Sequence, residues 1–189
     1  YWNYADYHSE DMSQNEIKNC NLEIKGLILD SISIRTKASV PFAINLSGGV
    51  DSGALLSGII QSSDISMPEC SYHAVFSGRD SCREQESYHK LIKSATCPSR
   101  LVNIDLSNLE SRVDELTKIC DGPIGGFATL GYYQLHQAIH SDGFRMTLDG
   151  QGSDEVFIGY DKYLLKNKAG LHVDGSKNTY FNVFDLESS

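Results

Sequence analysis

The sequence predicts an α/β fold with a doubly wound parallel sheet and helices on both faces. Three observations support this fold class. Short apolar runs alternate with helix-like stretches, two glycine-rich segments each follow an apolar run, and 40% hydrophobic with 22% charged residues over 189 positions fits a globular chain. Alternating strands and helices are typical of parallel sheets, because each parallel connection has to cross over a sheet face.

The elements are predicted in chain order from apolar spacing. Residues 15–36 place apolar side chains at helical intervals among charged ones, which predicts a first helix. Further strands are predicted in PFAINLS (from Pro41), SYHAVFS (Ser71–Ser77), RLVNIDL (Arg100–Leu106) and FRMTLDG (Phe144–Gly150), and further helices in GALLSGIIQ, EQESYHKLIKSA, NLESRVDELTKIC and TLGYYQLHQAIHS. We expect residues 1–165 to form one domain and residues 166–189 an irregular tail, since periodicity fades there.

Charge and cysteine content indicate which binding partners and which cellular compartment to expect. The formal net charge of −9 argues against a nucleic-acid partner, which usually requires a basic face. No apolar stretch approaches the roughly 18 residues of a membrane span, so we expect a soluble protein without a membrane partner. The five cysteines form no C-x-x-C pair, which indicates neither a zinc site nor a disulfide framework and fits the cytoplasm.

The first glycine-rich segment, NLSGGVDSG (Asn45–Gly53), directly follows a predicted strand. In open parallel sheets, ligands bind beyond the carboxyl ends of the strands, where the strand order reverses. Gly48 and Gly49 allow a tight turn, and the next helix would offer backbone N–H groups to phosphate oxygens. The segment lacks the lysine of a Walker A loop. Asp51 would repel phosphate directly, so a functional role for it implies a bridging Mg²⁺.

The second segment, LDGQGSDEVFIGY (Leu148–Tyr160), follows the fourth predicted strand. Gly150 and Gly152 again give backbone access, and Asp154 is a second carboxylate available to the same cation. If the strands before the two segments are neighbours at the switch point, Asp51 and Asp154 could share one Mg²⁺. The alternative is a pair of ordinary turns in which glycine, serine and aspartate serve as turn and cap residues.

With both segments in view, the chain resembles the PP-loop ATP pyrophosphatases. Their S-G-G-x-D-S signature is matched by Ser47, Gly48, Gly49, Asp51 and Ser52. VPFAINLSGGVDSG, DGPIGG and DGQGSDEVFIGY further resemble the synthetase domain of class B asparagine synthetases, over roughly residues 1–165. This resemblance implies an adenine nucleotide alpha hydrolase-like fold and a two-step amide synthesis. A substrate carboxylate attacks the α-phosphorus of ATP and releases pyrophosphate, and ammonia or an amine then displaces AMP.

The resemblance also implies roles for residues of both segments, with ATP and Mg²⁺ as the cofactors. Backbone groups of Leu46, Val75 and Gly150 are expected to contact adenosine, with Asp149 in a position where the family usually has serine. Ser47, Gly48, Gly49 and Ser52 are expected to hold pyrophosphate, Asp51 and Asp154 to bind Mg²⁺, and Gln151 to act at the reacting atoms beside these two aspartates.

Gln151 departs from the family pattern, since a glutamate usually occupies that position and handles the proton of incoming ammonia. Glutamine cannot act as a base, so either the base lies elsewhere or the nucleophile differs. The chain starts at Tyr1 instead of a cysteine nucleophile, so we expect a separate glutaminase, a completing subunit or an amine within the substrate. The substrate is a small-molecule or peptide carboxylate of unspecified identity.

Two other functions remain open from the sequence. One is a different PP-loop reaction, of the tRNA thiolation or GMP synthesis type, and the other is a non-catalytic ATP-binding subunit that needs a partner chain. The aromatic residues Tyr132 and Tyr133, in the helix before the second segment, are interpreted simply as interface or core residues.

Overall fold

The computed structural model describes residues 12–76, 82–157 and residue 159. Within these residues, four parallel strands form one sheet in the order β3-β2-β1-β4. The elements along the chain are α1 (Gln14–Thr36), β1 (Phe42–Asn45), α2 (Val50–Gln61), β2 (Cys70–Phe76), α3 (Cys82–Ser94), β3 (Ser99–Ile104), α4 (Leu109–Ile119), α5 (Phe127–Ser141), β4 (Met146–Leu148) and α6 (Ser153–Phe157). The expected tail at residues 166–189 lies outside the described residues.

Helices cover both faces of the sheet, which confirms the predicted fold class. Alternate residues of a strand point to opposite faces. Ile44 of β1 therefore packs with residues of α1, α2 and α3, whereas its neighbour Ala43 packs with Leu135 and Ile139 of α5. The two cores explain why β1 is buried along its whole length.

The start of α1 follows from a capping box at its amino end. The Ser13 hydroxyl accepts the backbone N–H of Glu16 at 3.4 Å, and the Glu16 carboxylate accepts the backbone N–H of Ser13 at 2.8 Å. These reciprocal bonds satisfy N–H groups that a helix start leaves without partners. At its other end α1 packs against α2, where Ile32 is only 3% exposed.

Strand β1 lies at the switch point of the sheet. The chain runs outward from β1 through β2 to β3, and β4 then joins the opposite side of β1. The register pairs Ala43 with Cys70 on one side and with Thr147 on the other. The segments that follow β1 and β4 therefore leave the same edge of the sheet side by side.

Several element boundaries differ from the prediction by one to three residues, and two of these differences matter most. Helix α2 begins at Val50 instead of Gly53, so Asp51 lies in its first turn. Strand β4 begins at Met146 instead of Phe144, because the backbone N–H of Phe144 donates to the carbonyl of Ile139 at the end of α5.

Four cysteines can be assessed in the described part of the chain, and all four are free: Cys20, Cys70, Cys97 and Cys120. Cys120 is exposed, because it follows the last turn of α4 at the surface. None of the helices assigned among the described residues is both long and apolar enough to cross a membrane.

Candidate functional site

A cleft of about 380 Å³ opens at the carboxyl ends of β1, β2 and β4. Helix α5 lines the cleft through residues spaced three and four apart, including Gly131 and Leu135. Both glycine-rich segments also line it. The predicted site residues that line the cleft are Leu46, Ser47, Asp51, Ser52, Asp149, Gly150, Gln151 and Asp154.

The first segment forms a tight turn held by its own serines. The Ser47 N–H donates to the Ser52 hydroxyl at 3.2 Å, and the two hydroxyl oxygens lie 3.1 Å apart. The Gly49 N–H donates to the Ser47 hydroxyl at 3.1 Å. Gly48 has φ +84°, a left-handed conformation that glycine adopts without strain. The turn thus concentrates two hydroxyls at the start of α2, where the first N–H groups lack intrahelical partners.

The second segment touches the first through Gly150. A Cβ on Gly150 would lie 2.8 Å from the Asp51 Cβ and 3.1 Å from the Ser52 backbone nitrogen. Only a residue without a side chain allows this approach. The Ser153 hydroxyl donates to the Gly150 carbonyl at 2.7 Å and so fixes the turn on its other side. The predicted meeting of the two segments at the switch point is therefore confirmed.

This contact brings the carboxylates of Asp51, Asp154 and Glu155 close enough to repel one another. Partial burial, followed by the negative charges of Asp154 and Glu155, raises the pKa of Asp51 above its ordinary value. Asp51 and Asp154 both line the cleft. Two carboxylates that repel each other beside a cleft provide the oxygen ligands that Mg²⁺ prefers. Among the residues that the structure describes, no group of three or more His, Cys, Asp or Glu side chains forms a metal cluster.

Tyr132 is a residue of the cleft that the sequence interpretation missed. The sequence predicts an interface or core aromatic at this position, whereas Tyr132 lines the cleft and its hydroxyl donates to one oxygen of Asp149. The Gln151 N–H donates to the other oxygen at 3.1 Å. Burial and the Asp149 carboxylate raise the pKa of Tyr132, so its hydroxyl stays protonated as a donor. Tyr132 and Tyr133 are adjacent, and nothing in the sequence shows which of the two lines a cleft and which packs elsewhere.

Three predicted ligand contacts are not among the residues that line the cleft, namely Gly48, Gly49 and Val75. Val75 is half-buried near the end of β2, and its neighbours Ala74 and Phe76 line the cleft instead. Leu46 lines it, but its N–H already donates to the Tyr72 carbonyl at 2.9 Å and its carbonyl lies 2.7 Å from His73 Nδ1. The individual ligand roles stay predictions.

The sequence profile of the family described as asparagine synthase matches residues 23–178. Since this match covers most of the chain, the protein belongs to the asparagine synthase family. The amidase chry2 of Gibberella zeae is 29% identical over 177 residues, covering 86% of this chain and 26% of that protein. The asparagine synthetase [glutamine-hydrolyzing] 2 of Bacillus subtilis is 30% identical over 145 residues, covering 73% of this chain and 19% of that protein.

The chain therefore spans about a quarter or less of the length of these two curated relatives. Among solved structures, the NH3-dependent NAD synthetase of Campylobacter jejuni aligns with a TM-score of 0.47 and 15% identity. This alignment covers 74% of the chain and 60% of the synthetase.

Proposed function

We propose that this chain carries out ATP-dependent amide-bond formation through an adenylated carboxylate. The observation that carries the proposal is the contact of Gly150 with Asp51, which unites the two glycine-rich segments around one cleft. Membership of the asparagine synthase family and relatives named as an amidase and an asparagine synthetase support amide chemistry.

In the first step, an oxygen of the substrate carboxylate attacks the α-phosphorus of ATP. The bond between the α-phosphorus and the bridging oxygen breaks, and pyrophosphate leaves with that electron pair. The hydroxyls of Ser47 and Ser52 lie at the start of α2 and would exchange their mutual hydrogen bond for bonds to pyrophosphate oxygens. Donors aimed at developing negative charge lower the barrier, and the dipole of α2 acts in the same direction.

Asp51 and Asp154 are the residues that would hold Mg²⁺, and their mutual repulsion gives a physical reason for a cation between them. When bound there, Mg²⁺ would neutralise negative charge on the departing pyrophosphate.

In the second step, the nitrogen nucleophile attacks the acyl carbon, and the bond to AMP breaks. Gln151 lies at the cleft beside Asp149 and can orient the nucleophile by hydrogen bonding, but it has no proton-accepting group. The proton released from the nitrogen therefore has to pass to another acceptor. Asp149 lines the same cleft and is a carboxylate that is not assigned to Mg²⁺.

The proposed partners are a small-molecule or peptide carboxylate as substrate and a separate glutaminase or completing subunit as nitrogen source. No nucleic acid or membrane takes part, and the proposed location is the cytoplasm. The net charge of −9 favours this reaction over a tRNA-directed one.

The test is an assay of the 189-residue chain with ATP, Mg²⁺, ammonia and a panel of carboxylates that includes aspartate. Formation of both AMP and pyrophosphate, dependent on one acid, is the expected result. Asp51→Asn should abolish it, whereas Asp64→Asn, an exposed change beyond α2, should not. The absence of products with every acid, together with the absence of ATP binding, would overturn the proposal. ATP binding without turnover would favour the non-catalytic subunit.

A further inference from the structure

We propose that the carboxamide of Asn45 recognises the adenine base, through the exocyclic amine and the adjacent ring nitrogen. This assigns a specificity-determining role to a residue at the floor of the cleft. The inference rests on the proposed use of ATP and adds to it a side-chain contact that would select the base.

Asn45 is the last residue of β1 and lines the cleft. It pairs in register with Tyr72 of β2 and shares the sheet face of Ala43, which packs toward α5. The residue is only 7% exposed. Neither Oδ1 nor Nδ2 forms a hydrogen bond with any residue that the structure describes, and both atoms are shielded from solvent.

A buried carboxamide without partners is costly. Leaving a buried donor or acceptor unpaired costs about 1–3 kcal/mol, and native proteins therefore pair nearly all such groups. An apolar side chain of the same shape would avoid this cost at the end of a buried strand. The amide thus has a physical rationale if a ligand supplies its partners. A side-chain rotation, which commonly accompanies binding, would bring it to that ligand.

The surroundings of Asn45 favour a flat, mostly apolar group with one polar edge. Ala74, Phe76, Gly131 and Leu135 line the cleft on the side of α5. A ribose carries hydroxyls on several sides and would leave them unpaired against these residues. Groups suited to hydroxyls, the carboxylate of Asp149 and the backbone of Gly150, belong to the second glycine-rich segment, which also lines the cleft.

Distance along the strand agrees with this assignment. Ser47, proposed to hold pyrophosphate, follows Asn45 by two residues, which is about 6–7 Å along an extended chain. The sugar of a nucleotide separates its base from its phosphates. A nucleotide lying across the end of β1 therefore places its phosphates near Ser47 and its base near Asn45.

The chemistry of the amide explains the choice of base. A carboxamide presents one donor and one acceptor side by side. Adenine offers a matching pair at its amine and N7, whereas guanine offers two acceptors, O6 and N7, along the same edge. With guanine, the Oδ1 acceptor of Asn45 would face another acceptor and form no hydrogen bond. Asn45 would consequently favour ATP over GTP.

The test measures the affinities of ATP, GTP and purine riboside triphosphate, which lacks the exocyclic amine. Native protein, Asn45→Leu and Asn103→Leu are compared, the last carrying the same change at an exposed position of β3. We expect the native chain to bind ATP about fivefold to tenfold more tightly than purine riboside triphosphate. In Asn45→Leu this preference should fall to about one, and Asn103→Leu should keep it.

Thermal unfolding separates recognition from a structural role. Replacement of an unpaired buried amide by leucine should leave the melting temperature unchanged or raise it. A lower melting temperature with an unchanged base preference would overturn the inference. The inference would also be overturned if Asn45→Leu weakened only the preference for ATP over its 2′-deoxy or 3′-deoxy analogues, because Asn45 would then contact ribose. If the native chain binds no nucleotide, the proposed function itself is wrong. If it binds ATP and purine riboside triphosphate equally, only this inference is wrong.

Discussion

Gly150 packs directly against Asp51, with room for a hydrogen atom but not for a methyl group between their backbones. A Cβ at Gly150 would lie 2.8 Å from the Asp51 Cβ and 3.1 Å from its carbonyl carbon. The two residues are far apart in sequence and belong to segments that follow different strands. Their contact is what places the carboxylates of both segments in one cleft.

Gly150→Ala is therefore expected to separate the segments while leaving the sheet intact. The new methyl group would lie 2.8 Å from the Asp51 Cβ and 3.1 Å from backbone atoms of Asp51 and Ser52, so the segments must move. Because misplacement of reacting groups by about 1 Å can cost about 100-fold in rate, AMP formation should fall by about that factor. Steady-state assays and far-ultraviolet circular dichroism check both parts of this expectation.

Gly122→Ala is the matched control, since the nearest atom to its added Cβ is 4.0 Å away. It should retain activity close to that of the native protein. Equal activities of the Gly150 and Gly122 variants would show that the close approach at Gly150 does not organise the site.

Tyr132→Phe removes the hydroxyl that donates to Asp149. The carboxylate then loses a partner that holds it beside Gln151, and the second segment becomes less well positioned. We expect the KM for ATP to rise about threefold to tenfold, with little change in melting temperature, because Tyr132 is 38% exposed. Tyr133→Phe is the control on the same helix, because its hydroxyl donates to Glu115 at 3.2 Å, outside the cleft. An effect of equal size in both variants would contradict the expectation.

Asp142 should make stability depend on pH in the acid range. Hydrogen bonds from Tyr72 and Arg100 lower the pKa of Asp142 in the folded chain. A lowered folded pKa stabilises the protein above the unfolded pKa, about 3.9, and the stabilisation is lost as pH falls through the folded value. Asp142→Asn should therefore melt below the native protein at pH 7, and the difference should shrink toward zero in acid. A difference that stays constant from pH 7 to pH 2 would contradict this account.

Two glycines in helices should respond in opposite directions to the same substitution. Gly26 of α1 is exposed and has no atom within 4 Å of an added Cβ, so Gly26→Ala should stabilise the chain by about 0.5–1 kcal/mol. At buried Gly58 of α2, the added Cβ would lie 2.6 Å from Cδ1 of Ile32. Overpacking of a buried contact costs about 1–3 kcal/mol, so Gly58→Ala should lower the free energy of unfolding of the protein. Denaturant unfolding of both variants measures the two signs.

The order of strands and helices could be predicted from sequence because each buried strand is a short apolar run with polar residues at its ends. PFAINLS contains β1, and SYHAVFS contains all but the first residue of β2. The predicted boundaries of elements were wrong where tertiary contacts determine them. Phe144 begins the alternating apolar pattern FRMTL, but it closes the turn after α5, and its ring centroid lies 6.0 Å from that of Tyr72.

The site was predicted in part, because glycine, serine and aspartate after a strand have a recognisable spacing. That spacing could not show that β4 lies beside β1, since strand order depends on packing between distant segments. It also could not separate Tyr132 from Tyr133, or mark Asn45 as unpaired. These properties depend on which face a side chain occupies and on what lies opposite.

The position of β1 has a consequence for the way the chain reaches its native state. β4 begins about a hundred residues after β1, so a polypeptide emerging from the ribosome presents the backbone edge of β1 until Met146–Leu148 arrive. Unpaired edges of apolar strands invite pairing with other chains, and long-range parallel pairing is intrinsically slow. Pairing of β4 thus covers the edge of β1, leaves an edge strand of only 3 residues, and brings the second glycine-rich segment to the cleft in the same event.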